Sequence, residues 1–122
     1  MPQFDMTILY VANPLASAAF YANLLGDQPV EKSPGFAMFV LPNGSRLGLL
    51  KHSEVKPEVG AGGERGELCF TVEDADAVRA THADWSKRMT IAQAPIQLDF
   101  GNTFVALDAD GHRLRVFSPS QR

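Results

Sequence analysis

Residues 43–50 read NGSRLGLL and residues 110–117 read DGHRLRVF, and the two stretches align without a gap. Each sets a turn dipeptide, Asn43-Gly44 or Asp110-Gly111, ahead of an Arg-Leu step and an apolar run. Asn-Gly and Asp-Gly are favoured in tight hairpins because both residues tolerate positive φ. A strand is therefore predicted after each turn. One letter differs in kind: Gly48 in the first copy stands where the second has Arg115.

The repeat extends outward from these turns. Met6-Thr7-Ile8-Leu9-Tyr10-Val11 is rich in β-branched and aromatic residues and stops at Asn13-Pro14, which predicts a strand. Asn13 is a good helix N-cap and Pro14 a good first helical residue. LASAAFYANLLG then lines up Ala18, Tyr21, Leu24 and Leu25 and ends at Gly26 as C-cap. A weaker strand is expected near Gln28-Pro29-Val30-Glu31, and Phe36–Leu41 forms the other arm of the first hairpin.

The second half repeats this order. Glu67–Val72 is a strand, Asp74 a plausible cap, and ADAVRATHADWSKRM a helix with Val78, His82, Trp85 and Met89 on one side. IAQAPIQL is a broken strand, followed by strands at Thr103–Leu107 and Arg113–Phe117. Between the halves, KHSEVKPEVGAGGERG at 51–66 has no apolar period and reads as a linker. The expectation is one α+β domain made of two βαβββ modules, about 4–50 and about 67–119.

Composition narrows the function. A formal charge of −3 without a dense basic patch argues against a nucleic-acid partner. No apolar run approaches the length of a membrane span, and the first residues lack the pattern of a signal peptide, so a cytoplasmic protein with no membrane partner is expected. The single Cys69 excludes an intrachain disulfide and a multi-cysteine zinc site; within ELCFTV it reads as a small core side chain.

The double βαβββ plan, with LYVANPLASAAFY at the first strand-to-helix junction and DADGHRLRVFSP at the end, resembles the vicinal oxygen chelate superfamily from about Met6 to Pro119. That superfamily includes glyoxalase I, extradiol dioxygenases and drug-binding proteins of the bleomycin- and phenazine-resistance type. The resemblance implies that each module curls into half of a cup with its helix outside, that the halves enclose a cavity, and that the chain forms a homodimer. It also implies that a divalent metal, where present, is held at places corresponding to Met6, Gly48, Glu67 and Arg115. Of these only Glu67 offers a ligand suited to such an ion. No metal, cofactor or catalytic residue is therefore expected.

Alternation along a strand divides its side chains between two faces. With Leu47, Leu49, Leu114 and Val116 toward the helices, the cup-facing sets become Met6, Ile8 and Tyr10; Arg46, Gly48 and Leu50; Glu67, Cys69 and Thr71; and Arg113, Arg115 and Phe117. Glu67 and Arg115, on neighbouring strands, are expected to pair. Gly48 leaves room for a bulky group, and Arg115 supplies a planar cation. Phe36, Phe39, Phe100 and Phe104, with Met38, flank these strands and are candidates to sandwich a flat ligand.

Competing sites are weaker. His52, His82 and His112 share no ligand spacing; Asp108 and Asp110 belong to a turn, Asp74 to a cap, and Trp85 to the core. Ser17, Ser45 and Ser53 lack a nucleophile-elbow setting. The leading expectation is a non-enzymatic protein that sequesters an aromatic small molecule through Met6, Ile8, Tyr10, Phe36, Met38, Phe39, Gly48, Leu50, Glu67, Phe100, Phe104 and Arg115. Alternatives are a glyoxalase-like lyase or other vicinal oxygen chelate enzyme with unconventional or no metal, and a scaffold or regulator that keeps only the fold.

Overall fold

A computed structural model describes residues 3–55, 67–98 and 100–119. Among these residues two α-helices and eight strands form two four-stranded mixed sheets, an α+β fold. The chain divides into two compact units, Met1–Ala61 and Gly62–Arg122.

The first unit runs β1 (Met6–Val11), α1 (Pro14–Leu25), β2 (Glu31–Lys32), β3 (Phe36–Val40) and β4 (Arg46–Lys51), with sheet order β1-β4-β3-β2. The first and last strands lie side by side, as expected, and run parallel, while the remaining pairs are antiparallel. Asn13 caps α1 by accepting hydrogen bonds from the backbone N–H groups of Leu15 and Ala16 at 3.1 and 3.2 Å. Gly26 ends it at φ 69°, donating its N–H to the Ala22 carbonyl. Ala18 and Tyr21 bury the inner stripe of α1 against its own sheet.

Two expectations shift here. The weak strand covers only Glu31–Lys32, since Pro29 has no N–H to give the ladder. The linker does not begin at 51: Lys51 completes β4, His52–Glu54 make a turn of 3-10 helix, and Val55 is buried. Residues 56–66, with the glycine run, lie outside the described residues.

The second unit repeats the plan with β5 (Glu67–Thr71), α2 (Ala75–Trp85), β6 (Thr90–Leu98), β7 (Gly101–Leu107) and β8 (Arg113–Pro119), ordered β5-β8-β7-β6. Asp74 caps α2, its Oδ1 accepting from the Ala77 N–H at 2.8 Å. The helix stops at Trp85, so Met89 falls in the turn beyond it rather than on its stripe. Trp85 packs edge-on against Phe70 and Phe104, with ring centroids 5.4 and 5.6 Å apart, and His82 meets Phe104 at 5.3 Å. The broken strand is β6, whose pairing with β7 slips between Ile91 and Gln93 and again before Ile96.

The turn before β8 is tied by one carboxylate. Asp108 Oδ1 accepts the backbone N–H groups of Asp110 and His112 at 3.0 and 2.8 Å, and its Oδ2 lies 2.8 Å from His112 Nδ1. This fixes the register in which Leu114 and Val116 enter the core while Arg113, Arg115 and Phe117 face away from α2.

Gly101 opens β7 at φ 139°, and a Cβ there would lie 1.9 Å from the Ser118 carbonyl oxygen. A Gly101→Ala variant is therefore expected to lose about 3 kcal/mol, as backbone strain adds to a clash that only strand displacement relieves. Gly26→Ala meets nothing within 4 Å and should lose only about 1 kcal/mol, the cost of a left-handed non-glycine residue. Denaturant melts of the two variants check the order, and equal losses would contradict the close approach of β7 to β8.

Candidate functional site

The face of each sheet turned away from its helix carries the candidate residues. In the second module it is built by β5, β8 and β7, whose register places Arg115 between Cys69 and Val105, and Phe117 between Thr71 and Thr103. Glu67 stands diagonally across from Arg115. The Arg115 Nε–H donates to Glu67 Oε1 at 2.6 Å, with 17% of the arginine side chain and 29% of the glutamate side chain exposed. The expected ion pair is present and half-sheltered.

Thr103 holds the arginine from the other side. Its Oγ1 accepts from Arg115 Nη1 at 3.1 Å and donates to the Val116 carbonyl at 2.8 Å, in a fully buried position. Phe100, 46% exposed in the turn before β7, lies under the guanidinium with its centroid 5.5 Å from Arg115 Cζ. Its ring meets Phe117 edge-on at 6.1 Å. A cation lies over one face of an exposed ring, the arrangement in which the ring quadrupole attracts charge. Thr103 was not among the expected site residues, although counting alternate positions on β7 against Arg115 would have found it.

Cys69 is exposed on this same face, as its place in the cup-facing set with Glu67 and Thr71 requires, and is not the small core side chain that ELCFTV also suggests. Partial burial, then the Glu67 carboxylate, push its thiol up against a smaller opposing effect of Arg115. A raised thiol pKa leaves less thiolate at neutral pH, so the geometry does not prepare Cys69 as a nucleophile.

In the first module the centre of the open face is apolar, with Arg46 and Glu31 exposed on the same face. Register sets Gly48 between Ile8 and Met38, and Leu50 between Tyr10 and Phe36, with Ile8 and Tyr10 both exposed. The space above Gly48 is not vacant. A Cβ there would meet Met6 Cε at 3.0 Å, Phe36 Cε1 at 3.1 Å and Ile8 Cγ1 at 3.3 Å. The room expected for a ligand is thus filled by three of the chain's own side chains. His52 packs edge-on against Tyr10, 6.4 Å between centroids.

Two expected site residues lie elsewhere. Phe39 and Phe104 are 1% and 0% exposed on the helix-facing side, so the structure removes both from the ligand-facing set. Phe39 is an odd number of positions from Phe36 and must take the opposite face. Phe104 follows Phe100 by an even number, but Phe100 precedes the strand and alternation does not carry through the turn. Each proposed sandwich therefore keeps one ring, Phe36 in one module and Phe100 in the other.

The donor set does not fit a divalent metal at the places the resemblance implied. Met6 offers a thioether, Gly48 nothing, and Arg115 a cation that already engages the carboxylate of Glu67. Among the described residues, Asp108, Asp110 and His112 bring carboxylate and imidazole atoms within 4.8 Å of one another, in the turn that fixes β8.

Comparison with known proteins agrees with this architecture. The description "Glyoxalase/Bleomycin resistance protein/Dioxygenase superfamily" matches residues 3–116. The chain is 28% identical over 118 residues to the phenazine antibiotic resistance protein EhpR of Enterobacter agglomerans, with 92% of this chain and 88% of that protein covered. The solution structure of protein ATC0852 from Agrobacterium tumefaciens shares 46% identity at a TM-score of 0.88, covering 99% of this chain and all of that one. A glyoxalase-related enzyme from Fulvimarina pelagi superimposes at a TM-score of 0.79 over 97% of this chain and 88% of its own; at 19% identity this likeness concerns the fold alone.

Truncating Arg115 to Ala should strand the Glu67 carboxylate and lower stability by about 2 kcal/mol, less than for a fully buried pair because water still reaches both groups. Replacing Glu67 with Met and Arg115 with Leu together should restore most of that loss, since exchanging a pair for packed apolar groups is often close to neutral. Thermal unfolding of the single and double variants measures the difference. A double variant no more stable than Arg115→Ala would contradict the coupling.

Proposed function

The chain belongs to the glyoxalase/bleomycin resistance protein/dioxygenase superfamily, and from that premise we propose that it binds and sequesters a flat aromatic small molecule without transforming it. The observation that carries this reading is the replacement of a metal-ligand position by Arg115, whose guanidinium lies over the exposed Phe100 ring on the open face of the second module. Ring faces and planar cations hold flat π-systems by stacking and quadrupole attraction. The likeness to a phenazine resistance protein supports a tricyclic heteroaromatic as the ligand. The raised Cys69 thiol and the poor metal donor set both weigh toward binding rather than turnover.

Isothermal titration with phenazine tests this. The expected result is one ligand per chain at a dissociation constant of about 10 μM or tighter, weakened about tenfold in Phe100→Ala by loss of the stacking surface. Trp85, the last residue of α2, is buried against Phe70 and Phe104 on the helix-facing side, so heat, rather than Trp fluorescence, is the sound readout. Absence of binding, or about one zinc, nickel, manganese or iron per chain after dialysis, would overturn the proposal and favour a metal-dependent enzyme.

The proposal includes a homodimer. Each sheet has two outer strands, β1 and β2 in one and β5 and β6 in the other, and apolar side chains such as Leu15, Val30 and Phe4 are exposed. Exposed edges and apolar patches are commonly covered by a partner. Sedimentation equilibrium at micromolar concentration is expected to return twice the chain mass, and a monomer would refute it.

A further inference from the structure

Arg115 has more donors than its neighbours use. Nε–H is taken by Glu67 and one Nη1–H by Thr103, and among the described residues no acceptor meets Nη2 or the second Nη1 hydrogen. No buried side-chain nitrogen or oxygen among the described residues lacks a partner, so Nη2 is within reach of solvent. Glu67, Thr103 and Phe100 hold three sides of the guanidinium and leave one edge presented outward. A fork held in place loses little freedom when it binds, which makes it a selective donor site for an anion.

The charge on this face favours an anion. Arg113, exposed and in register with Glu67, shares the face with Arg115, so its strands present two guanidinium groups against one carboxylate among the described residues. Glu67 neutralises one cation, and the surplus belongs to a face that also carries Cys69, Thr71, Leu107 and Phe117, with Thr103 and Val105 buried within it. We propose that the outward edge of Arg115 receives the carboxylate of an aromatic acid, with Thr103 as the positioning residue that keeps this edge aimed. The inference rests on the aromatic-binding reading above and names the chemical class that site selects. The acid group forms charge-assisted hydrogen bonds to Nη2 and Nη1, while the ring system lies along Phe100 and Phe117.

Phenazine and phenazine-1-carboxylate differ only in the acid group and are titrated into the full chain at pH 7.5. The carboxylate is expected to bind at least tenfold more tightly. In Thr103→Val, which keeps side-chain volume and removes the hydroxyl, that ratio should fall to about threefold. In the Glu67→Gln, Arg115→Gln double variant it should fall to about one. A measurement on the unmodified chain guards against variants that fail to fold: raising NaCl from 50 to 500 mM should weaken phenazine-1-carboxylate several-fold and leave phenazine almost unaffected. Equal affinity for the two compounds, or a preference kept in the double variant or at high salt, overturns the carboxylate assignment while leaving the aromatic-binding reading intact. Binding of neither compound overturns both.

Discussion

Everything on the open faces follows from the parallel pairing of the first and last strand in each module. Once β5 lies beside β8 in a fixed register, one set of alternate residues must cover α2 and the other must be left for solvent or ligand. Leu114 and Val116 reach complete burial, and that burial decides where Arg113, Arg115 and Phe117 point. The carboxylate of Asp108 sets the phase of this alternation at the turn, because a slip of one residue would bury a guanidinium and expose the core.

The changed letter between the two copies then acquires physical content. In the first module, glycine lets Met6, Phe36 and Ile8 close over the strand and make an apolar patch. In the second, arginine draws in a carboxylate, a hydroxyl and an aromatic ring, and the same backbone carries a polar, directional face. Repetition fixed the scaffold, and exchanges at Met6/Glu67, Phe36/Thr103 and Gly48/Arg115 differentiated the two open faces.

Much of this was legible in the sequence. The caps at Asn13 and Asp74, the end of α1 at Gly26, the hairpin turns and the Glu67–Arg115 pair all rest on local chemistry or strict alternation, and the structure places them as expected. What could not be read depended on where alternation begins. Phe39 and Phe104 look like their neighbours Phe36 and Phe100 until the strand limits are known, after which they fall on the helix side. Thr103 shows its importance only through a partner distant in sequence, because a buried hydroxyl has no signature apart from what it touches. Cys69 is the reverse case: its run reads as core, but its parity with Glu67 already sets it in the cup-facing group, and it emerges there.

Every strand pairing described here is completed inside its own half of the chain. That self-sufficiency bears on how the polypeptide acquires its structure during synthesis. The slow event in each half is closure of the long loop that brings its last strand alongside its first, a non-local contact whose entropy must be spent before the ladder forms. The N-terminal half has all the partners for its own sheet before the C-terminal half has been translated, so the ribosome delivers two modest closure problems in succession instead of one large one.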